Sequence, residues 1–509
     1  MGPMTEFEVK LELCHADLER LCACAFFSRL GDPKLTQNQK TVYFDTPDHS
    51  LARHHMSLRI RHSGRHLVQT AKALRDSPLE RSEWETPLHN NSLDLEFLDR
   101  TALAAVLTQR QRRMVQPVFS LQVERRLYPI RLDGAELELT IDEGILRAGP
   151  RSRPICEVEI ELKYGGKGPV FQLARQIIHE TSAILSLRSK SAQGYALAGE
   201  ARRSKGSPSA DATGLPVRLL ATTPVVSAIR TLGYACLGQI LDHQPGVVAH
   251  LSQAVHQMRV AIRRLRTFMW FFRAPLAGPQ AFHIRQELKW LMTELEAARE
   301  CHVLRQRIAA HEPYPAEAEP WVQALETAGE QAHVRAARAV QCERFRLLGL
   351  DIARWLELGD WTHAAQNGLQ EQLIIPVSAQ FAHIWAKIRR RGRHIGRLDP
   401  AKRHRLRILV KKMRYGLEFF RSVYTGRAVQ GHIADLLKPL EKLQDALGEL
   451  NDLRNAQSML RTAGLSDGAM STENDLYALL KSDDHVDSQV LIKRAKKAYV
   501  RLMDMPVVW

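Results

Sequence analysis

The sequence predicts two domains of different fold class, an α+β domain at the N-terminus and an all-α domain after it. Within residues 1–200, apolar and charged residues alternate in several short segments, the period of strands with one buried face. After about residue 220, apolar residues recur at three- and four-residue steps, the period of helices. The length of 509 residues also exceeds what one hydrophobic core usually organises.

A stretch of small and polar residues separates the two patterns. Residues 201–216 read ARRSKGSPSADATGLP, in which Gly and Pro interrupt any regular period, as is typical of linkers. We therefore expect a first domain over 1–200, a linker over 201–219 and a second domain over 220–509.

The positive charge is unevenly distributed along the chain, whose formal net charge is +16. Residues 1–200 contain 27 Lys and Arg against 26 Asp and Glu, so the remaining residues hold 45 against 30. A basic C-terminal region favours a polyanion as partner: nucleic acid, an acidic membrane surface or a phosphate polymer.

Cysteine usage and hydropathy indicate the compartment. The seven cysteines form neither a disulfide framework nor a paired CxxC zinc spacing. There is no run of about 18 apolar residues, and the start lacks the basic-then-apolar pattern of a secretion signal. We expect reduced thiols and a cytoplasmic protein that does not bind a membrane.

Charged side chains occupy every second position of the predicted strands. In TEFEVKLEL (5–13), Glu6, Glu8, Lys10 and Glu12 alternate with apolar residues. The alternation recurs in MSLRIRH, LVQTAKAL, RSEWETPL, AELELTIDEG and ICEVEIELK. Such faces are solvated in ordinary antiparallel sheets. If the sheet closes, they instead point inward and line a polar tunnel.

A polar tunnel has a chemical use. Carboxylates at positions i and i+2 can hold a hard divalent cation through oxygen. Arg and Lys on facing strands can grip phosphate oxygens. A triphosphate substrate needs both, because cations position it while a metal ion activates water or neutralises developing charge.

These segments resemble the CYTH family, the triphosphate tunnel metalloenzymes, over most of residues 1–200. EFEVK (6–10) stands where the family has its Glu-x-Glu-x-Lys signature, and TVYFDTPDHSLARHHMSLRIR (41–61) resembles its Tyr-Phe-Asp-Thr stretch and Leu-Arg-x-Arg strand. Similar elements follow in the family's order: TAKAL (70–74), ERSEWETPL (80–88), CEVEIELK (156–163) and SKSAQGYAL (189–197). The resemblance implies a closed antiparallel β tunnel with outer helices that acts on a triphosphate with Mg²⁺ or Mn²⁺.

The resemblance also implies roles for individual residues. The expected metal ligands are Glu6, Glu8, Asp142, Glu157 and Glu159. The expected phosphate-binding residues are Lys10, Arg59, Arg61, Lys72, Arg125 and Lys190. Glu159 and Lys10 are the expected catalytic residues, with Glu159 either a metal ligand or the group that orients the attacking water. The remaining carboxylates of the tunnel are expected to balance these cations: Glu12, Glu83, Glu85, Glu136, Glu138 and Glu161.

Three chemistries occur in this family: hydrolysis of inorganic triphosphate, hydrolysis of thiamine triphosphate and cyclisation of ATP. The order of the two domains resembles that of bacterial triphosphatases fused to a helical domain. We therefore expect inorganic triphosphate as the substrate, with the other two reactions as alternatives.

The helical region contains an internal repeat. VHQMRVAIRRLRTF (255–268) aligns with RHRLRILVKKMRYG (403–416), and LKWLMTELEAARECHVL (288–304) aligns with LEKLQDALGELNDLRNA (440–456). Two matches in the same order predict a duplicated helical hairpin, within about 250–310 and 400–460.

Each copy of the repeat carries a basic stripe. His256, Arg259, Arg263 and Arg266 fall within about 80° of arc on a helix, and the second copy repeats the pattern. The stripes resemble the CHAD domain from about residue 220 to the end, which implies two pseudo-symmetric four-helix bundles that bind inorganic polyphosphate. The matching residues are His256, Arg259, Arg263, Arg264, Arg266, His404, Arg407, Lys411, Lys412 and Arg414.

Nucleic acid is the main rival ligand, because phosphate contacts alone do not distinguish one polymer from another. Single-strand binders usually interleave aromatic residues for base stacking, and aromatic residues make up only 6% of this chain. We therefore expect an inorganic triphosphatase with a polyphosphate-binding domain, associated with polyphosphate granules. The alternative is a non-catalytic polyphosphate-binding protein.

Overall fold

The structure, a computed structural model, describes residues 4–203, 217–309, 319–363, 371–462 and 488–509. The chain divides into two compact units. The first comprises residues 1–213 together with 342–358, and the second comprises 214–341 and 359–509. Most of the expected linker 201–219 lies outside the described residues.

The first unit is built on antiparallel strands. In chain order they are β1 (Met4–Glu12), β2 (Leu35–Asp45), β3 (Met56–Ser63), β4 (His66–Leu74), β5 (Glu80–Leu88), β6 (Gln116–Leu132), β7 (Ala135–Ala148), β8 (Arg151–Tyr164) and β9 (Ile184–Ser186). The spatial order is β5-β4-β3-β2-β6-β7-β8-β1, and β5 also pairs with β1, so these strands close into a barrel. The short β9 pairs with the second half of β1, beyond the part that β5 occupies.

Helices occur in both units. In chain order they are α1 (His15–Ala23), α2 (Ala25–Leu30), α3 (Ser50–Arg53), α4 (Gln109–Arg112), α5 (Gly168–Glu180), α6 (Lys190–Arg203), α7 (Val225–Asp242), α8 (Gln244–Val248), α9 (Ser252–Phe271), α10 (Pro279–Glu294), α11 (Glu296–Ala309), α12 (Glu319–Gln341), α13 (Glu343–Leu358), α14 (Asp360–His363), α15 (Ile374–Gly392), α16 (Pro400–Phe420), α17 (Arg427–Thr462) and α18 (Ser488–Met503). The predicted fold class, an α+β barrel domain followed by an all-α region, is confirmed.

The apolar faces of the barrel strands form the core of the first unit. Val9 and Leu11 on β1 and Val158 and Ile160 on β8 are 0% exposed. Helix α5 packs against β1 and β8 and buries its own apolar side. Because strand side chains alternate between the two faces, covering the apolar face outside directs the charged residues to the inside of the barrel.

Helix α6 lies very close to the barrel wall. A Cβ atom on Gly194 would stand 2.1 Å from the ring of Phe119 on β6. Only glycine therefore permits this approach, which brings the first residue of the helix, Lys190, to the barrel. Phe119 belongs to a cluster under α6 that also contains Tyr43, Leu121 and Leu197.

The core of the second unit is rich in phenylalanine. Helix α9 packs on α7 and α16, and α16 packs on α15 and α17. The rings of Phe271 on α9, Phe381 on α15 and Phe420 on α16 meet with centroids 5.3–6.2 Å apart. Gly416 permits the close packing of α16, since an added Cβ atom would lie 2.3 Å from the Phe271 ring.

The two copies of the predicted repeat differ in their second helix. The stripes lie on α9 and α16, as the pattern predicts. The following segment is broken at Leu295 into α10 and α11 in the first copy, whereas α17 continues through Pro439 in the second. None of the described helices is long and apolar enough to cross a membrane.

Candidate active site

The barrel contains a cavity of about 940 Å³ lined by both signs of charge. Its basic lining residues are Lys10, Arg59, Arg61, Lys72, Arg81, Arg100, Arg125, Lys163 and Lys190. Its acidic lining residues are Glu6, Glu8, Glu83, Glu85, Glu138, Glu159 and Glu161. The charged strand faces therefore line an enclosed space and do not form a solvated sheet face.

Strand register explains which charges meet. Lys10 on β1 is the direct partner of Glu159 on β8, and Lys72 on β4 is the direct partner of Glu83 on β5. Directly opposite residues project to the same face of an antiparallel pair. Accordingly, Lys10 Nζ lies 3.0 Å from Glu159 Oε1, and Lys72 Nζ lies 3.2 Å from Glu83 Oε1.

The ammonium group of Lys190 stands among three carboxylates. Its Nζ lies 2.6 Å from Glu159, 2.7 Å from Asp142 and 3.1 Å from Glu157. Lys190 begins α6 and is 7% exposed, so the helix carries this cation to the middle of β7 and β8. This ammonium thus contacts three carboxylates that adjacent strands force together, and Arg125 and Lys10 supply further positive charge to two of them.

Asp142 and Glu157 are placed behind the cavity wall. They are direct partners across β7 and β8 and are 0% and 1% exposed. Asp142 accepts two hydrogen bonds from the guanidinium of Arg125, at 2.7 and 2.5 Å, and Glu157 accepts one from Gln193 at 2.6 Å. Both were expected as metal ligands; of the five expected ligands, Glu6, Glu8 and Glu159 line the cavity.

A second group of ion pairs joins β1 to β4 and β3 to β5. Lys72 donates to Glu6 at 2.5 Å, and Arg59 lies 3.5 Å from Glu83. Arg61 also lines the cavity and forms no ion pair with another residue of the described chain. All six expected phosphate-binding residues therefore reach the same space.

Arg81 is a cavity residue that the sequence interpretation left out of the site. It is the second residue of β5, faces Glu6 across the β1–β5 pairing, and donates to Glu8 Oε1 at 2.5 Å. Its position in the alternating segment RSEWETPL was the available signal. Glu12, by contrast, is absent from the lining and accepts a hydrogen bond from the neutral hydroxyl of Ser186 at 2.6 Å, which is not the pairing with a cation that its charge-balancing role predicts.

Burial and neighbouring charges set the protonation of the cavity. Burial alone would raise the pKa of Glu159, but Lys190, Lys10 and Arg125 outweigh it and hold that pKa well below its ordinary value. Lys190 shows the converse, with its pKa held well above the ordinary value despite burial, chiefly by Asp142 and Glu159. Burial raises the pKa of Glu161 to about 7, although Lys163 acts in the opposite direction.

The donor set suits a hard divalent cation. The cavity offers carboxylate oxygens, the ligands that Mg²⁺ and Mn²⁺ prefer. Three carboxylates already surround one cation, the ammonium group of Lys190. Oε2 of Glu157 is buried and has the Lys190 ammonium 3.1 Å away, without a well-directed hydrogen bond. In the described part of the chain, no three Asp, Glu, His or Cys side chains are gathered as metal ligands, because Lys and Arg side chains lie between the carboxylates.

The first half of the α9 stripe forms one cationic cluster. Burial and the neighbouring Arg299, Arg263 and Arg259 lower the pKa of His256 to about 4. Arg259 is 8% exposed, donates to the Met292 carbonyl at 3.0 Å and lies 3.6 Å from Glu296. The cluster therefore combines stripe residues with Arg299 of α11.

The second half of the α9 stripe lies near α16, the helix that carries the second copy of the stripe. Lys412 of α16 lies 4.2 Å from the ring centroid of Trp270 on α9. Burial, Arg273, Lys387 and Arg266 lower the pKa of Lys412 to about 8. Cations from three helices thus repel one another here, which is the arrangement expected opposite a polyanion.

Two of the expected polyphosphate-binding residues pair with the same carboxylate. Glu418 lies 2.7 Å from Arg414 and 3.5 Å from Arg264, and Arg264 is only 6% exposed. Their charges therefore stabilise the junction of α9 and α16. The side chains of His404, Arg407 and Lys411 lie along the exposed and partly exposed side of α16.

Comparisons with known proteins agree with both parts of the structure. The model of the CYTH domain matches residues 4–195, and the model of the CHAD domain matches residues 232–461. The chain carries a CYTH domain followed by a CHAD domain. The barrel with its cavity lies in the CYTH domain, and the two basic stripes lie in the CHAD domain.

Individual relatives cover parts of the chain. An inorganic triphosphatase of Haemophilus influenzae is 30% identical over 161 residues, which are 31% of this chain and 45% of that protein. An uncharacterized protein of Mycobacterium tuberculosis is 28% identical over 291 residues, 53% of each chain. The chain thus spans about half the length of these curated relatives. The crystal structure of the CHAD domain from Ricinus communis covers 57% of this chain and 95% of its own, at 23% identity and a TM-score of 0.47.

Proposed function

We propose that the CYTH domain hydrolyses inorganic triphosphate with a divalent cation, Mg²⁺ or Mn²⁺. The observation that supports this function is the enclosed cavity in which basic and acidic side chains from facing strands alternate. Triphosphate is a small, highly charged anion whose binding depends on positioned cations and a metal ion. The similarity to the Haemophilus influenzae inorganic triphosphatase supports the same substrate.

Substrate binding uses cations that are already held by carboxylates. Lys10, Arg59, Arg61, Lys72, Arg125 and Lys190 converge on the cavity. When triphosphate binds, its oxygens replace some of the carboxylates as ion-pair partners of these cations. Buried cations then remain paired throughout, which avoids the cost of several kcal/mol that an unpaired buried charge would carry.

The carboxylates serve the chemical step. Glu6, Glu8 and Glu159 would hold the divalent cation, which when bound neutralises charge on the phosphate oxygens and lowers the pKa of a coordinated water. The lowered pKa of Glu159 keeps this carboxylate ionised, so that it can accept a hydrogen bond from the attacking water. Water oxygen bonds to the terminal phosphorus, and the bond from that phosphorus to the bridging oxygen breaks. One O–H bond of the water breaks as well, and its proton passes to the departing diphosphate or to solvent, so that the products are hydrogen phosphate and diphosphate. Lys10 and Arg125 offset the negative charge that develops in this step.

Alanine substitution in the full-length chain tests this function. Glu6→Ala and Lys10→Ala should each lower phosphate release from tripolyphosphate in Mg²⁺ by about 100-fold or more. Glu12→Gln is the matched control, since Glu12 lies on the same strand but outside the cavity lining, and should keep wild-type release. Equal rates in all four proteins would contradict the proposed site. Tight binding of triphosphate without turnover would favour the non-catalytic alternative.

We also propose that the CHAD domain binds inorganic polyphosphate. Burial and neighbouring cations together lower the pKa values of His256 and Lys412, and the crowding of positive charge around both groups supports this ligand. A phosphate polymer supplies closely spaced negative charge and, in contrast to single-stranded nucleic acid, needs no aromatic side chains for base stacking. Binding of long-chain polyphosphate should persist in excess competing DNA; displacement by an equal charge of DNA would contradict this ligand.

A further inference from the structure

Helix α13 (Glu343–Leu358) belongs to a different compact unit from the sequence on both sides of it. The CHAD model matches residues 232–461, which include this helix. Nevertheless, residues 342–358 cluster with residues 1–213, the unit of the barrel. The helix packs on α5 and β9 and buries an apolar side that includes Phe345, Leu348, Ile352 and Trp355. The barrel unit is thus completed by a segment from the CHAD-matched sequence.

A buried carboxylate stands at the end of this helix. The side chain of Glu357 is 0% exposed. One of its oxygens accepts a hydrogen bond from the Ser77 hydroxyl at 2.6 Å, and the other accepts one from the Lys167 ammonium at 2.8 Å. Because an unpaired buried charge is unfavourable, a carboxylate so enclosed fixes the groups that pair with it.

The groups that Glu357 holds lead directly to the cavity wall. Ser77 Oγ accepts a hydrogen bond from the backbone N–H of Leu79 at 3.1 Å, and the Leu79 carbonyl accepts one from the N–H of Glu8 at 3.0 Å. Lys167 also donates to Glu80, the first residue of β5. The turn over residues 77–79 is therefore anchored on α13 at one side and on β1 at the other.

The next residue of β5 acts inside the cavity. Arg81 donates to Glu8 Oε1 at 2.5 Å and to the Pro78 carbonyl at 3.5 Å. Its position thus depends on the same turn that Glu357 fixes through Ser77 and Lys167. Arg81 and Glu8 both line the cavity. A continuous path of contacts leads from α13 to a cation that lines the cavity and to an expected metal ligand.

We propose that Glu357 is a positioning residue of the triphosphatase site, acting through Ser77 and Lys167 on Arg81 and Glu8. The proposal rests on the proposed function of the cavity. Ser77 and Lys167, the two residues that donate hydrogen bonds to Glu357, do not themselves line the cavity. Its loss releases the 77–79 turn, so that Arg81 and Glu8 no longer hold one geometry toward metal and phosphate. Displacements of about 1 Å in a site of this kind can lower rates by about 100-fold.

Variants of the full-length chain test this role. Glu357→Ala and Ser77→Ala should each lower kcat/KM for tripolyphosphate by about 10- to 100-fold. The double variant should be no worse than the worse single one, because both changes break the same path. Glu357→Gln, which can still accept from Ser77, should recover part of the loss. The control is Glu343→Gln on the same helix, whose carboxylate is half exposed beside His179, and it should behave as wild type.

A binding measurement separates positioning from general damage to the fold. Calorimetric titration with Mn²⁺ should give about a tenfold weaker Kd for Glu357→Ala and Ser77→Ala than for wild type. Partial unfolding would lower the number of sites and leave their Kd unchanged, which would overturn the proposal, as would wild-type kcat/KM and Kd in both variants. If the wild-type chain binds Mn²⁺ but releases no phosphate, the proposed function fails while the Kd comparison still decides the role of Glu357.

Discussion

Removal of the Lys190 ammonium is the perturbation whose effect on stability can be worked out most directly. Lys190→Met keeps a side chain of similar length and deletes the charge that lies within 3.1 Å of Asp142, Glu157 and Glu159. Deleting one partner of a buried ion pair costs about 3–5 kcal/mol. Arg125 and Lys10 still pair with two of these carboxylates, so we expect the lower end, about 3 kcal/mol.

The expected change in melting temperature follows from domain size. For a domain of about 150–250 residues, 1 kcal/mol shifts Tm by about 2–4 °C, so Lys190→Met should lower Tm of the barrel transition by about 6–12 °C. Differential scanning calorimetry in EDTA measures this shift. Lys163→Met is the control, because Lys163 pairs with Glu161 on the same barrel but its side chain is 44% exposed, and an exposed pair contributes at most about 1 kcal/mol.

For the same variant we also predict a larger increase of Tm when a divalent cation is added. Without the ammonium group, Arg125 and Lys10 no longer balance the whole negative charge of the three carboxylates, so Mg²⁺ should raise Tm of Lys190→Met more than it raises Tm of wild type. A melting temperature within about 2 °C of wild type in EDTA would refute the reasoning, because it would mean that Lys190 does not neutralise the three carboxylates.

Three further predictions follow from the charges. The pKa values of Glu159 and Asp142 are lowered from 4.5 and 3.8 in the folded chain, so their contribution to stability is present above those values and is lost as pH falls below them. In an acid titration followed by circular dichroism, Arg125→Met should therefore lose less stability than wild type. An equal loss of stability in both proteins would count against this pairing. Polyphosphate should raise the pKa of His256 from about 4, so calorimetry near pH 5 should detect proton uptake on binding that His256→Ala lacks; identical uptake in both proteins would exclude this residue. Lys412, with its pKa of about 8, loses charge as pH rises through 8, so polyphosphate affinity should fall between pH 7 and 9 in wild type but not in Lys412→Met, and parallel pH profiles would contradict a contact.

The alternation of charged and apolar residues was enough to predict six of the eight strands that close the barrel, and which of their charged residues share a face. Period-2 spacing fixes which residues share a face, and the segments predicted as strands became β1, β3, β4, β5, β7 and β8. Strands β2 and β6 were not predicted as strands from the pattern. β2 opens with LTQNQK, which has little apolar alternation, and β6 contains Pro129 and the adjacent Arg125 and Arg126.

Depth within the site could not be predicted in the same way. Asp142, Glu157 and Glu159 share a strand face or a register partner, yet only Glu159 lines the cavity. The difference arises from Arg125, Lys190 and Gln193, which cover the other two from separate elements. Spacing along a strand gives direction, whereas burial depends on what the tertiary fold places above the side chain.

The sequence pattern also could not predict to which compact unit a helix belongs. Residues 343–358 have the same amphipathic period as the helices around them. That period identifies a buried face but carries no information on the surface that covers it. The apolar side of α13 and the carboxylate of Glu357 are matched by α5, β9 and Ser77, all of which lie far away in sequence.

The most direct test of the central claim is phosphate release by the full-length chain from a panel of triphosphates, with and without Mg²⁺ or Mn²⁺. We predict metal-dependent release from inorganic triphosphate at a higher kcat/KM than from thiamine triphosphate or ATP, and no cyclic nucleotide from ATP. Absence of phosphate release from inorganic triphosphate with either metal would contradict the claim that the cavity is a triphosphatase site.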